Sequence, residues 1–351
     1  MKKLLSVGIT VSLIMMLLTG CGTGTSEPAP SPAASPAANE QAGESIGEEV
    51  TLRLAHNLNE QHTVHLALAE FGRLVEEKSQ GNMKVDIYPN AQLGSEEQVL
   101  EQLQAGGVAM TKVSAAALTP YADGYNAFTL PYVFADENHF FTSMESDAVQ
   151  ELYQSTHDKG FVGLTYYTSG ARSFYTVNKP ILHPDDLRGV KIRVMGFQSQ
   201  TDMMQALGGT PVGMPYGDVY TSLQSGIIDG AESNETALTN GKHGEVAKHF
   251  SYDEHTMIPD ILVVSARVWD SLTEAQRAII EEAAVESTEF HKPLWDAAIA
   301  EAVKEATEEM GVTFHEVEKG PFRDAVASML DEYGAQYPEV RTLLDSFKAL
   351  E

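Results

Sequence analysis

The stretch from Arg188-Gly-Val-Lys-Ile-Arg-Val194 to Gly230-Ala-Glu-Ser-Asn234 constrains the fold more than any other part of the chain. In Lys191-Ile-Arg-Val194 the two-residue period of a strand puts Ile192 and Val194 on one face and Lys191 and Arg193 on the other. The middle, Gly208-Gly-Thr-Pro-Val-Gly-Met-Pro-Tyr-Gly217, predicts a wall shaped by glycine and proline, and the stretch closes on polar Glu232-Ser-Asn234 after the apolar pair Ile227-Ile228. No lysine or arginine occurs between Arg193 and Lys242. A lone guanidinium beside such a wall suits a planar anion, because its forked donors match both oxygens of a carboxylate. A solvated strand arginine fits the same pattern, and spacing alone leaves both readings open.

Around this stretch, strands alternate with helices. Thr51-Leu-Arg-Leu-Ala55 alternates like a first strand and delivers His56-Asn57 to its carboxyl end; helical spacing follows from about Glu60 to Gln80 and stops at Gly81-Asn82. Lys84-Val-Asp-Ile-Tyr88 reads as a strand, Ser95-Glu-Glu-Gln98 as a capping box opening a helix that ends at Gly106-Gly107, and Met110-Thr-Lys-Val-Ser114 as a third extended piece. This order predicts an α/β lobe with ligand groups at the carboxyl ends of its strands. Phe161 to Tyr166 reads as the last strand of that pass, and Gly170 permits the dihedral changes of a hinge. Further strands and helices are expected at Ser173–Val177, 198–207 and 217–225. The span Thr273–Met310 stays helical for unusually long, with Pro293 expected to kink or break it. Helices at Pro321–Asp331 and Glu339–Leu350 end the chain.

The amino-terminal part is set aside from the fold. Lys2-Lys3, an apolar run from Leu4 to Leu18 and Leu18-Thr-Gly-Cys21 read as a lipoprotein signal peptide over 1–20 with lipidation at Cys21. That cysteine is the single one of 351 residues, which excludes a disulfide within the chain and argues against thiol or thiolate–metal chemistry. Residues 21–48, rich in Gly, Ser, Pro, Ala and Glu, have too few large apolar side chains to bury and predict a disordered tether. The remaining length, about 300 residues, is long for one core and comfortable for two lobes. With Lys2 and Lys3 removed, 21 basic residues stand against 50 acidic ones, a balance of about −29. Such a field opposes nucleic acid and anionic lipid. It does not oppose a small anion gripped by local guanidinium groups in a low-dielectric cleft.

The opening stretch, together with Ser169-Gly-Ala-Arg-Ser173, resembles the signature region of the DctP-type solute-binding proteins of TRAP (tripartite ATP-independent periplasmic) transporters, and the similarity runs from about Thr51 to the carboxyl terminus. The resemblance implies an α/β, two-lobed periplasmic-binding-protein-like fold with an interlobe ligand cleft, hinge strands and a long lobe-spanning helix. Lobe I is then 49–169 plus 260–299, and lobe II 170–259 plus 300–351. It further implies that Arg193 forms a bidentate pair with a ligand carboxylate, that Arg172 contacts the same ligand, that the Asn234 amide holds the carboxylate or a neighbouring hydroxyl, and that Tyr216 walls the ligand. His56, Glu96, Lys112 and Ser114 fall where the family reads the distal end of the ligand, and His255 is a further polar candidate near the return crossing. Each has an ordinary alternative: a surface ion pair for the arginines, a core aromatic for Tyr216, helix capping for Glu96. Glu96 accepts hydrogen bonds from sugar hydroxyls but repels a second carboxylate.

The segments His56-Asn57, Thr111-Lys-Val-Ser114, Arg172-Ser-Phe-Tyr175 and Asp253-Glu-His-Thr256 are most similar to the branch that binds sugar acids, uronates and aldonates. The expectation is an extracytoplasmic, membrane-tethered binding protein, without cofactor, metal or catalysis of its own, that delivers a sugar acid to a TRAP permease. The same domain could instead serve a membrane sensor or, as a third class, be a surface enzyme on acidic sugars. For the latter the residues offer little. His62 and His65, three apart on one helix face, could be half of a metal site, but no third ligand is identifiable and surface histidines are the favoured explanation. No Gly-x-Ser-x-Gly elbow is present, and Asn240-Gly-Lys-His243 lacks the full phosphate-loop pattern. Glu232 with Glu235 or Asp229 could form paired carboxylates, but acidic residues are expected throughout so acidic a chain.

Overall fold

The first strand begins at Val50, four residues into the part of the chain described by a computed structural model, residues 47–351. The expected signal peptide, Cys21 and nearly all of the expected tether lie outside the described residues. The first pass runs β1 (Val50–Ala55), α1 (Thr63–Lys78), β2 (Met83–Tyr88), α2 (Glu96–Gln104), β3 (Met110–Ser114), α3 (Glu137–Met144), α4 (Asp147–Ser155) and β4 (Phe161–Tyr167). The second runs β5 (Arg172–Thr176), β6 (Lys191–Val194), α5 (Gln198–Ala206), β7 (Thr210–Gly213), α6 (Val219–Ser225), β8 (Gly230–Ser233), α7 (Thr236–Thr239) and β9 (His249–Thr256). The chain then continues through β10 (Asp260–Ser265), α8 (Ala266–Ser271), α9 (Glu274–Glu308), β11 (Thr313–Glu316), α10 (Lys319–Val326), α11 (Met329–Gln336) and α12 (Pro338–Lys348).

These elements build the two sheets of a two-lobed α/β fold. One has the order β2-β1-β3-β10-β4, with β1 parallel to β2 and β3, and β10 antiparallel to β3 and β4. The other has the order β11-β9-β5-β8-β6-β7, with β6 parallel to β7 and β8. Helices cover both faces of the central strands, so Ile261, Leu262, Val263 and Val264 of β10 are all fully buried, where a half-exposed strand would alternate. The chain passes between sheets at 168–171 and 257–259, and returns along α9, which packs on α1 of the first pass and on α7 of the second.

Local sequence accounts for many element ends. Ser95 and Gln98 form the expected capping box of α2, and Thr273 and Gln276 do the same for α9, each satisfying otherwise orphaned donors. The Gly/Pro-rich wall contains a strand, β7, at the sheet edge, where Pro211 does not deprive a further strand of a ladder donor. Pro293, expected to kink or break α9, does not break it: the helix runs 35 residues to Glu308. His291 and Trp295, on either side, are buried, so packing holds the turn that the missing N–H weakens. No helix among the described residues is long and apolar enough to cross a membrane.

Within 300–351, expected as a block with the second lobe, the packing divides. β11 joins β9 of the second sheet and α10 lies against β9 and α5, whereas α12 packs on α3, α4 and the turn around Asp123–Phe128 of the first pass. Phe347 is the anchor, with its ring 5.6 Å from Phe128 and 5.4 Å from Phe134, and its carbonyl 2.7 Å from His139 Nε2.

Candidate functional site

The carboxyl ends of β1, β3, β6 and β8 face a cavity of about 700 Å³ bounded by residues of both sheets. Seven of the nine expected contact residues line it: Arg193, Arg172, Asn234, Tyr216, Glu96, Lys112 and Ser114. Ser114, Asn234 and Glu96 sit where a strand ends or a helix starts, which is where α/β sheets expose backbone and side chains to a ligand, while Arg172 opens β5 and Lys112 lies within β3.

Arg193 is on β6, 4% exposed, with Ile192 and Val194 fully buried on the opposite face. Its Nε and Nη2 both donate to the Met214 carbonyl, at 3.0 and 2.9 Å. The Gly/Pro stretch can bring that carbonyl close because the loops after β6 and β7 nearly touch: a Cβ on Gly213 would stand 3.0 Å from Gly196 Cα. Among the described residues no carboxylate forms an ion pair with Arg193, and burial pulls its pKa below the usual guanidinium value despite Glu232 nearby. A buried guanidinium bonded only to a neutral carbonyl keeps donors and charge with which it could receive an anion.

Arg172, at the start of β5, is differently placed. Its Nε and Nη2 donate to Glu232 Oε2 and Oε1 at 2.5 and 2.9 Å, and Nη2 also meets the Glu232 carbonyl at 2.6 Å. Burial works against both charges, but the pairing holds Arg172 above its ordinary value and the Glu232 carboxyl down at about 2. Glu232 is therefore the counter-ion of Arg172, not half of a carboxylate pair for glycoside chemistry; Asp229 instead accepts from the Lys191 backbone N–H at 2.8 Å.

Asn234 has less freedom than an amide acting on a ligand requires. Its Nδ2 donates to Ser169 O at 2.9 Å, tying β8 to the crossing segment, and its Oδ1 accepts from the Thr236 backbone and hydroxyl at 3.0 and 2.6 Å. Only one N–H remains for the cavity. Tyr216 opens the short turn before α6, with its ring 5.4 Å from that of His243, which is fixed by Tyr175 Oη at 2.8 Å. Burial pushes the Tyr216 phenol up to about 12, so it faces the cavity as a neutral hydroxyl.

At the first sheet, Lys112 Nζ lies 2.9 Å from Asp260 Oδ1 and 3.4 Å from Glu96 Oε1. Burial opposes the ammonium, and the two carboxylates more than restore it. Glu96 Oε1 also accepts from Ser114 N at 3.2 Å, so Glu96 does more than cap α2. Asp260, a wall residue that sequence reading missed, accepts from Ser169 Oγ through Oδ2 at 3.0 Å.

Two expected residues do not reach the cavity. His56 is buried behind it: Nδ1 accepts from Leu58 N at 3.2 Å and Nε2 faces His65 Nδ1 at 3.0 Å. It shapes the turn that carries Asn57, and Asn57 lines the cavity with a buried Oδ1 that has no partner among the described residues. The carboxyl end of β1 thus brings Asn57, not His56, to the cavity. His255 is on β9 of the second sheet and fully buried, stacked on Phe174 at 4.7 Å and 2.8 Å from Asp253 Oδ2, with Nε2 3.5 Å from Glu232 Oε2. Burial would lower its pKa, but the two carboxylates raise it to about 9. It stands behind Arg172, not beside a ligand.

His62 and His65 do not form a metal half-site. His62 lines the cavity but uses Nδ1 to cap α1 at Val64 N, whereas His65 turns to His56. Among the described residues no group of three or more His, Cys, Asp or Glu is arranged to hold a metal ion.

Residues 54–336 match the family model described as bacterial extracellular solute-binding protein, family 7. The chain is 44% identical over 284 residues to the uncharacterized protein YiiZ of Salmonella typhimurium, covering 81% of this chain and 86% of that one. A TRAP periplasmic solute-binding protein of Anaerococcus prevotii solved with α/β-D-glucuronate superposes with a TM-score of 0.84 at 36% identity, over 86% of this chain and 98% of that one. Another, from Sulfitobacter sp. NAS-14.1 with β-D-galacturonate, gives 0.82 at 31% identity, over 85% and 99%.

Proposed function

The chain belongs to the DctP family, the bacterial extracellular solute-binding proteins of family 7, and from that premise we propose that it captures a hexuronate through its carboxylate and hands it to a TRAP permease. The observation that carries this reading is Arg193, a guanidinium buried in the cavity, oriented by one carbonyl and without an ion-pair partner among the described residues. The ligand carboxylate takes the remaining donors of Arg193 and the free edge of Arg172. Tyr216 lies along the sugar ring, while Asn57, Lys112, Ser114, Glu96 and Asp260 face its hydroxyls. The glucuronate and galacturonate held by the similar proteins fit this division into one charged and one hydroxyl-reading end.

Lobe I, built on the first sheet, and lobe II, built on the second, close on the ligand about the connections at 168–171 and 257–259, with α9 running along both. Asn59 Nδ2 to Asn240 O at 2.9 Å and Thr129 Oγ1 to Ser199 Oγ at 2.8 Å bridge them. Leu18-Thr-Gly-Cys21 supplies the lipid anchor that keeps the domain at the outer face of the membrane. A thermal-shift screen with uronates, aldonates, sialate, C4-dicarboxylates and 2-oxo acids tests the reading. Stabilisation that grows with uronate concentration is expected; a response confined to C4-dicarboxylates or 2-oxo acids rejects it.

A further inference from the structure

Charge is unevenly divided between the two ends of the cavity. At the lobe II end two guanidinium groups, Arg172 and Arg193, have one buried carboxylate between them, that of Glu232, and the His255–Asp253 pair behind it balances itself. At the lobe I end the count is reversed: the carboxylates of Glu96 and Asp260 share one ammonium, Lys112, as their cationic partner among the described residues. Counted over these buried groups, one positive charge is in excess around Arg193 and one negative around Glu96 and Asp260; Glu97 and Asp218, also in the lining, are exposed to water.

The lobe I end concentrates buried carboxylates: burial and the nearby Asp260 raise the Glu96 pKa, and Lys112 opposes that rise. Asp260 is 7% and Lys112 2% exposed, both are anchored on adjacent strands, and the Asp260 carboxylate is held from both sides, by Lys112 and by Ser169 Oγ. Both contacts to Glu96, from Lys112 Nζ and Ser114 N, go to Oε1, and Oε2 is left with no protein partner among the described residues. An acceptor oxygen of this kind receives a sugar hydroxyl favourably. It meets a second ligand carboxylate as a like charge in a poorly screened site, and such juxtaposition costs enough to reject a ligand.

We propose that Glu96 and Asp260, sharing Lys112, form a charge sieve that admits sugar acids with a single carboxylate and rejects their dicarboxylic counterparts. The inference rests on the sugar-acid reading of the site and deepens it: Arg193 selects for one carboxylate, and the lobe I triad selects against two.

The test is calorimetric titration of the full chain with galacturonate and with galactarate, in which a carboxylate replaces the far-end aldehyde carbon. The unaltered protein is expected to bind galacturonate about 100-fold or more tightly than galactarate. Glu96→Gln and Asp260→Asn each remove one negative charge at nearly constant shape, and galactarate is expected to bind at least about tenfold more tightly to either variant than to the unaltered protein. Circular dichroism establishes that each variant is folded, and Glu96, being less buried, keeps the test valid if Asp260→Asn does not fold. Galactarate binding to the unaltered protein within about threefold of galacturonate, or no gain in galactarate affinity in any folded variant, overturns the sieve while leaving the sugar-acid reading intact. Binding of neither acid by the unaltered protein overturns the sugar-acid reading, and the sieve with it.

Discussion

The guanidinium of Arg193 is fastened to the carbonyl of Met214 by two hydrogen bonds, from Nε at 3.0 Å and Nη2 at 2.9 Å. The contact crosses from β6 to the loop after β7, so the Gly/Pro stretch aims the arginine without neutralising it. Replacing Arg193 by Ala is expected to weaken hexuronate binding by about 2–5 kcal/mol, the range for truncating one partner of a buried charge pair. Ligand-free thermal stability should not fall, because an uncompensated buried charge is removed with the side chain. Calorimetry and a melting curve check both, and a tenfold or smaller loss of affinity places the anchor elsewhere.

Glu232 makes the opposite case. It is fully buried and holds Arg172 through both carboxylate oxygens. Glu232→Gln leaves Arg172 and His255 charged with a neutral neighbour, and the expected cost is about 3–5 kcal/mol of folding stability. Urea denaturation at neutral pH measures it; a change of less than about 1 kcal/mol would show that the pair is dispensable.

Stability should peak near pH 6.5. Burial lowers His56 to about 2, His62 and His243 to about 3 and His291 to about 4, all from an ordinary 6.5. These groups stay neutral in the fold but take up protons when the chain unfolds, so their contribution is complete above pH 6.5 and is lost as pH falls, by up to about 1.4 kcal/mol per pH unit each. Glu96 and Asp253, raised by burial, recover part of that loss. His255, raised to about 9, works in the other direction: its contribution is full below 6.5 and disappears as pH rises through 9. Melting temperatures from pH 5 to 9 should fall on both sides, more steeply toward acid. A flat or rising trend from 6.5 to 5 contradicts the assignment.

Gly213 should tolerate no side chain. A Cβ there meets Gly196 Cα at 3.0 Å, backbone against backbone, whereas one on Gly217 meets nothing within 4 Å. Gly213→Ala is expected to cost about 1–3 kcal/mol of stability and to weaken ligand binding by shifting the Met214 carbonyl; Gly217→Ala should leave stability unchanged. Equal melting temperatures for the two variants would remove the close approach from the account.

Where the signal was local, the sequence was sufficient. The capping residues Ser95 and Thr273 start their helices as their spacing requires, because an N-cap involves side chains only three residues apart. The β6 alternation and the absence of cations after Arg193 left a ligand arginine and a solvated one both open, and the resemblance to the family singled out the former. Where the outcome depended on packing between distant segments, the sequence misled. Pro293 does not break α9, and Phe347 draws α12 onto α3 and α4, because burial against partners far along the chain outweighs local preference. His56 and His255 looked like ligand groups and are supports, one behind Asn57 and one behind Glu232 and Arg172.

The amino-acid sequence by itself determined the α/β order of elements, the strand ends that carry polar groups and the family. Periodicity, capping and residue chemistry act over a few positions and can be read in one dimension. Only the tertiary structure decided which charges meet. Whether a buried carboxylate neutralises an arginine, as Glu232 does Arg172 from 60 residues away, or leaves one open, as at Arg193, whose partner Met214 is 21 residues away, depends on contacts between different strands and loops. Electrostatic energy depends on distance and burial in space, and neither is written in the order of the residues.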